Sequence, residues 1–352
     1  MGFNKKFFTT GGIVASSPAA VPTNTDNFQP VLYTGNGGTQ SITSLDFQPD
    51  LVWLKSRETT RNHMLSTSVQ QQYNYISSNL TNAEATSSAR ITSLDSNGFT
   101  IGTSANVNAT DVDYVAWCWK AGGAAVSGTG TGGVTSVNQS ANTDAGFSIV
   151  EFSTPASGNG TATHGLNETP EFIIYKRTSN TGQWTIYHSA TGVDKFLFFT
   201  SIEAATDTGV WSTPSLTTVP VNVGKNVSAN SDYIAYCFHS VDGYQRVGSY
   251  TGDSSTNRII YTTDDGTSTG NGGFQPRWVM IKAYESSFTG TNWRIYDILR
   301  GDDLYLRANG DNTETSQSSF EFDSSVTNGF RITDNRGDLN ESGDKFLFLA
   351  IA

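Results

Sequence analysis

Cysteine is nearly absent from this chain: Cys118 and Cys237 are the only two in 352 residues. Two are too few for a disulfide framework, so the fold has to rest on buried apolar surface. Histidine is as sparse. His63, His164, His188 and His239 stand at no metal-ligand spacing from one another or from a cysteine. Charged residues make up 15 % and the net charge is −11. A chain that reads nucleic acid needs a concentrated basic face, which this balance does not offer. No apolar run approaches the roughly 20 residues that cross a bilayer, so membrane insertion is not expected. The N-terminal stretch MGFNKKFFTTGGIVASSPAA has too weak an apolar centre to be expected as a secretory leader, and Lys6 stands where a myristoylation signal has Ser or Thr. Long stretches with helical apolar spacing are missing too.

Aromatic residues, by contrast, reach 12 %, and there are 35 glycines, with Ser, Thr and Asn abundant. Short strands joined by polar turns have this composition; helices favour Ala, Leu, Glu and Lys.

Four landmarks recur in order three times. The first is a Pro followed by an apolar strand ending in Lys: FQPDLVWLKSR, ETPEFIIYKRT and FQPRWVMIKAY, with Pro49, Pro170 and Pro276 each six residues before Lys55, Lys176 and Lys282. The second is HMLSTSV, WTIYHSA and WRIYDIL, in which His63 takes the place of Trp184 and Trp293. The third is YISSNLTNAEA, KFLFFTSIEAA and LYLRANGDNTE. The fourth closes the unit: NGFTIG…DVDYVAWCWKA, VPVNVG…SDYIAYCFHS and NGFRIT…GDKFLFLAIA. A period of about 110 residues is too long for a solenoid or propeller blade and suits a small domain.

The expected fold is therefore all-β: three tandem antiparallel β-sandwich modules, of jelly-roll or lectin-like type, with an extended N-terminal arm. The divisions are a docking arm at 1–27, module 1 at 28–121, a flexible Gly/Ser/Thr-rich linker at 122–146, module 2 at 147–242 and module 3 at 243–352. YVAWCWK and YIAYCFH are nearly continuous apolar runs, as in a central strand covered on both faces or one whose outer face meets another module. Asn-Gly before GFTIG and GFRIT signals hairpins. The strand order is not derivable.

Comparison among the copies sorts the candidate residues. Asp113, Asp232 and Asp344 align before the last strand, which favours a side-chain cap or turn bond over catalysis. Cys118, Cys237 and Ala350 share a place, expected to be a buried packing position in separate cores. The tryptophans lie mostly in strand patterns, but Trp211, in TGVWSTPS, breaks the repeat and is a candidate surface or glycan contact. Asp264, Asp265, Asp302 and Asp303 belong to copy three alone and read as solvated loop residues. A polysaccharide-cleaving enzyme would need such carboxylates as a pair in a groove, and calcium would need an oxygen-rich loop. No nucleophile elbow and no EF-hand pattern is present, so neither catalytic residue, metal nor cofactor is expected. In the arm, Phe3, Phe7 and Phe8 are the expected docking anchors.

YTGNG, SLDFQPDLVWLKSR, SSNLTNAEA, DSNGFTIG, DVDYVAWCWKAGG, DYIAYCFHSVDGYQRVGSYTG, FQPRWVMIK and TNGFRI resemble a family of repeated β-modules in structural proteins of marine tailed phages, including cyanophages and pelagiphages. The resemblance implies a non-enzymatic virion protein, tail-fibre or spike-like or a capsid decoration protein. It would associate with itself as a homotrimer, with other virion proteins, and with host-surface glycan. The alternatives are a polysaccharide depolymerase using an Asp pair and a secreted carbohydrate-binding protein.

Overall fold

The recurring Pro-to-Lys segment forms a strand in every copy: Leu51–Ser56, Phe172–Arg177 and Trp278–Glu285. Pro49, Pro170 and Pro276 are buried immediately outside these strands, where a residue without an N–H does not interrupt the ladder. A computed structural model describes residues 24–200, 206–207, 210–288 and 290–352. Phe3, Phe7 and Phe8 lie outside the described residues, as does the arm except for the single helical turn Asn24–Asn27.

One strand order occurs three times. An opening strand (Phe28–Thr34, Phe147–Ser153, Gln245–Thr251) pairs with the closing strand (Asp113–Trp119, Asp232–Phe238, Lys345–Ile351). The closing strand also pairs with the Pro-to-Lys strand, which in turn pairs with a third strand (Met64–Thr67, Trp184–His188, Arg294–Asp297). The last strand of each copy is thus inserted between its first two, and all pairings are antiparallel. Against each main sheet packs a small three-stranded sheet, such as Gln40–Ile42, Gly98–Ile101 and Ile91–Asp95 in copy one. The expected Asn-Gly hairpin is there, with Asp95 opposite Gly98. A side chain at Gly98 would run into the Ile42 carbonyl, which is why the position holds glycine.

Strand alternation gives each main sheet two apolar faces. One packs on its own small sheet. Val52, Leu54, Ala116 and Cys118 do so in copy one, and Val279, Ile281, Phe348 and Ala350 in copy three. The other face of all three sheets enters one shared core that holds Leu51, Trp53, Trp117 and Trp119 together with Phe172, Ile174, Tyr236, Phe238, Trp278, Met280, Leu349 and Ile351. Each copy keeps the separate core expected of it, with Cys118, Cys237 and Ala350 in three different ones; the shared core is an addition to the tandem arrangement and explains why the closing strands are apolar without alternation. At the centre remains a void of about 10 Å³ lined by apolar and aromatic side chains, at the lower limit for a water and without partners for one.

The copies are joined in a ring. His63 Nε2 bonds the Arg307 carbonyl at 2.9 Å. Trp293 Nε1 donates to the Phe198 carbonyl at 3.0 Å. Trp184 Nε1 donates to the carbonyls of Ser77 at 3.2 Å and Leu80 at 3.0 Å. Copy one therefore reaches copy three, copy three reaches copy two, and copy two reaches copy one, each from the same place in the fold. Trp53 Nε1 donates to His63 Nδ1 at 2.8 Å, so the ring proton sits on Nε2 and His63 is a donor to Arg307. Burial, followed by the charge on Lys55, lowers the His63 pKa to about 3, which keeps it neutral. Backbone bonds run beside the ring: Arg61 N–H to Asp311 (3.1 Å) and Glu314 N–H to Arg57 (2.7 Å), matched by Gly182 N–H to Thr81 (2.8 Å) and Glu84 N–H to Thr178 (3.0 Å).

Lys55, Lys176 and Lys282 are all fully buried. Their amines are held by oxygens: Lys55 by Ser56 O at 2.7 Å, Lys176 by Arg177 O at 2.6 Å and Thr81 O at 3.3 Å, and Lys282 by Thr291 Oγ1 at 2.8 Å. Burial lowers the first two to about 8 and Lys282 to about 7.

The linker expected at 122–146 is instead part of the second copy's sheets. Thr135–Asn142 pairs along Phe147–Ser153, Val126–Ser127 pairs along Thr135–Asn142, and Gly130–Thr131 joins Asn159–Thr163. Its anchors are Val134 and Val137, buried against the second core, and Ala145, buried in the shared one.

A shared core makes the three copies one cooperative unit. Calorimetry should show a single unfolding transition, and residues 28–121 expressed alone should expose the shared face and bind the dye ANS. Three resolved transitions would contradict the ring. Trp184→Phe removes the donor to the half-buried Leu80 carbonyl, while the Ser77 carbonyl keeps the Leu80 N–H, and should lose about 1 kcal/mol in urea unfolding.

Candidate functional site

The seam between copies one and two opens into a cleft of about 420 Å³, lined by Gln71, Asn74, Glu84, Ser136, Asn138, Glu151 and their neighbours Ser153, Thr178, Asp232 and Tyr233. Each wall follows from the fold. Glu151 lies on the opening strand of copy two, opposite Ile234, two residues beyond the core residue Ile149 and so on the same face. Asp232 begins the closing strand beside it, and Thr178 follows the Pro-to-Lys strand. Glu84 and Gln71 come from the loops after the third strand of copy one, and Asn74 from the short strand Asn74–Tyr75 between them.

Glu84 is held by amides: Gln70 Nε2 donates to Oε1, and Asn74 Nδ2 donates to Oε2 at 2.5 Å. Burial raises the Glu84 carboxyl above its ordinary range, the two amides oppose that, and Asp232 adds to it. Glu151 is raised to about 7, first by burial and then by the charges of Glu84 and Asp232. Below the floor, Tyr236 is 2 % exposed, and its hydroxyl has no hydrogen-bond partner. Burial and the charges of Glu84 and Glu151 hold that phenol protonated. A second cleft of about 380 Å³ lies between copies two and three. It has its own cation, Arg246, bound to Asp242 at 3.0 Å and to the Thr262 carbonyl at 2.8 Å.

The residues singled out in the sequence are not brought together. Asp113 Oδ1 accepts from Thr34 Oγ1 across the strand pair at 2.6 Å, and Asp232 Oδ1 accepts from Ser153 Oγ in the same way at 2.7 Å. Neither is the expected backbone cap. Asp344 is one: it accepts the Ser287 N–H at 2.9 Å and the Ser286 hydroxyl at 2.5 Å. It is not the register counterpart of the other two, because Thr251, in the place of Thr34 and Ser153, faces Lys345. A register shift between Ala283 and Glu285 accompanies the offset. Trp211 is 4 % exposed and does not form a surface contact. It plugs the second core, with its ring 5.2 Å from Tyr175 and 5.5 Å from Tyr187. Loop context hid this, because the loop folds back over the sandwich.

Cys118 and Cys237 are buried and unpaired, and burial pushes the Cys237 thiol up to about 12. The four histidines are buried. Asp264, Asp265, Asp302 and Asp303 are exposed. Three of them cap backbone: Asp264 takes the Asn271 N–H, Asp265 the Thr267 N–H and Asp302 the Phe322 N–H. Among the described residues no group of three His, Cys, Asp or Glu is placed to hold a metal, and no helix is long and apolar enough to cross a membrane.

A single family model, described as Domain of unknown function (DUF7483), matches residues 23–352. The chain belongs to the DUF7483 family. The match takes all three copies as one unit, in keeping with their shared core. The DUF7483 chain has no match among curated proteins or among solved structures.

Glu84 and Glu151 were missed by the sequence reading. The signal for Glu151 was available: FSIVEFS places a charge on an inward-facing position of an apolar strand. Its raised carboxyl has a consequence for stability. A folded-state value near 7 against about 4.5 unfolded means that the native protein holds this proton more tightly. The contribution is full below about 4.5 and is lost as pH rises through about 7. Glu151→Gln should therefore leave the urea midpoint at pH 5 nearly unchanged and raise stability at pH 8 by on the order of 1 kcal/mol after solvent screening.

Proposed function

We propose that this DUF7483 protein is a non-enzymatic building block of a virus particle surface, tail-fibre or spike-like or a capsid decoration protein, which contacts host glycans through its outer loops. The observation that carries the reading is the ring. The ring-nitrogen donors at the seams and the amines of the buried lysines are bound within or between copies, and the aromatic residues fill the shared core. What faces outward is mainly acidic and polar loop surface, interrupted by single apolar side chains such as Val126, Leu216 and Phe288. The motifs that resemble marine tailed-phage structural modules run through all three copies and supply the particle context. A threefold spike or decoration needs a threefold body, and the three copies in one chain provide that order internally, alongside any further self-association.

Cryo-electron microscopy of purified particles, with an antibody against this chain as marker, tests the reading. The expected result is ordered density for the ring on the outer surface. Recovery of the chain only in the particle-free fraction of an infected lysate would overturn it. A glycan array then separates attachment from decoration: binding that survives in the full chain supports attachment, and its absence leaves decoration as the role.

A further inference from the structure

Because the copies repeat, one seam can be read against another. Between copies three and one, Glu314 is neutralised twice. Arg57 donates from Nη2 to Oε2 at 2.8 Å and from Nε to both oxygens at 3.2 Å, and Arg300 Nη1 donates to Oε1 at 3.1 Å. Between copies one and two, Glu84 is the counterpart of Glu314: its N–H bonds the Thr178 carbonyl as that of Glu314 bonds the Arg57 carbonyl. Thr178 is in turn the counterpart of Arg57, since their N–H groups bond the carbonyls of Asp232 and Asp113.

Gln70 stands in for Arg300. Arg300 reaches from Asp297 to Glu314, and Gln70 reaches from Thr67 to Glu84. Thr67 and Asp297 hold the same register, opposite Leu51 and Trp278. Both arginines of one seam are thus neutral residues at the other, where Asp232 keeps the place of Asp113 and Glu151 adds a carboxylate in the register position that Leu32 holds in copy one. Among the described residues, no Lys, Arg or His side chain is hydrogen-bonded to or ion-paired with Glu84, Glu151 or Asp232. The cleft opens where the Arg57 side chain reaches in at the other seam, and the buried, unpartnered Tyr236 hydroxyl lies within electrostatic reach of Glu84 and Glu151.

We propose that the cleft between copies one and two binds a guanidinium group, with Glu84 accepting the planar fork that Glu314 accepts from Arg57. A carboxylate and a guanidinium match in a bidentate geometry that an ammonium does not reproduce. Asn74, Asn138 and Ser136 offer further acceptors around the rim. Glu151, half-protonated near neutrality, ionises beside the incoming charge, so binding releases protons at pH 7 and tightens toward pH 8. The guanidinium has two sources: a free small cation, or an arginine side chain of another protein.

Calorimetric titration of the full chain at pH 8 with arginine methyl ester tests the site, with lysine methyl ester at equal charge as control. The expected dissociation constant is on the order of 1 mM, with lysine methyl ester weaker by roughly tenfold. Glu84→Gln should weaken binding by roughly tenfold. Thr178→Arg supplies the missing arginine in cis; it should abolish binding and raise the melting temperature. A Gly-Arg-Gly amide that binds roughly tenfold more tightly than the ester assigns the site to a partner's arginine, and equal affinities assign it to the free cation. No heat at about 20 mM ester, equal binding of the lysine ester, or full binding by Glu84→Gln overturns the proposal. None of these readouts depends on where the protein sits in a particle.

Discussion

A hydrogen bond from a buried ring nitrogen to a backbone carbonyl of the next copy, made three times, fixes how the sheets of this protein face each other. Hydrophobic burial alone is non-directional and would let three apolar faces slide. The donors on His63, Trp184 and Trp293 do not allow that, because each would be stranded away from water if the register moved. The backbone bonds beside them and the buried lysines follow from the same placement. The core supplies the drive to associate, and the ring supplies a single way to do so.

His63 shows how such a position tolerates divergence. Imidazole in place of indole keeps the donor but adds an acceptor, and Trp53 fills it. The change is compensated within its own copy and leaves the contact to the next copy intact. Glu84 and Glu314 show the opposite: the same carboxylate, with the same backbone bond, has lost its cations at one seam and kept them at the other. Three identical subunits could not differ in this way, because any substitution would appear at every interface. Fusion into one chain frees each seam to take its own chemistry.

Much of the fold was legible in the sequence, and the reasons are local. The Pro-to-Lys spacing and the Asn-Gly hairpin of copy one depend on residues near one another in the chain, and alignment of the copies was enough to give Ala350, opposite Val279, the place of Cys118, opposite Val52. Strand order depends on non-local pairing and was not legible. The continuous apolar runs of the closing strands signalled a second covered face but could not say what covers it. The segment 122–146 was misread because its composition is that of a linker, and its anchors are few and small: Val134, Val137, Ala141 and Ala145. Trp211 was misread because a break in the repeat looks like exposure. The cleft was out of reach of a reading along the chain, since Glu84 and Glu151 meet only once copy two has packed on copy one.

The ring also orders events in time. Its last contact joins the first copy to the third, through His63 and Arg307, and the third main sheet is complete only when Lys345–Ile351 has slotted between its partners. Until then the apolar face of copy one, with Trp53, Trp117 and Trp119, has nothing to cover it on that side. A nascent chain therefore carries an exposed aromatic surface through most of its synthesis, a state that favours aggregation and makes the slow, non-local closing step the one on which yield depends.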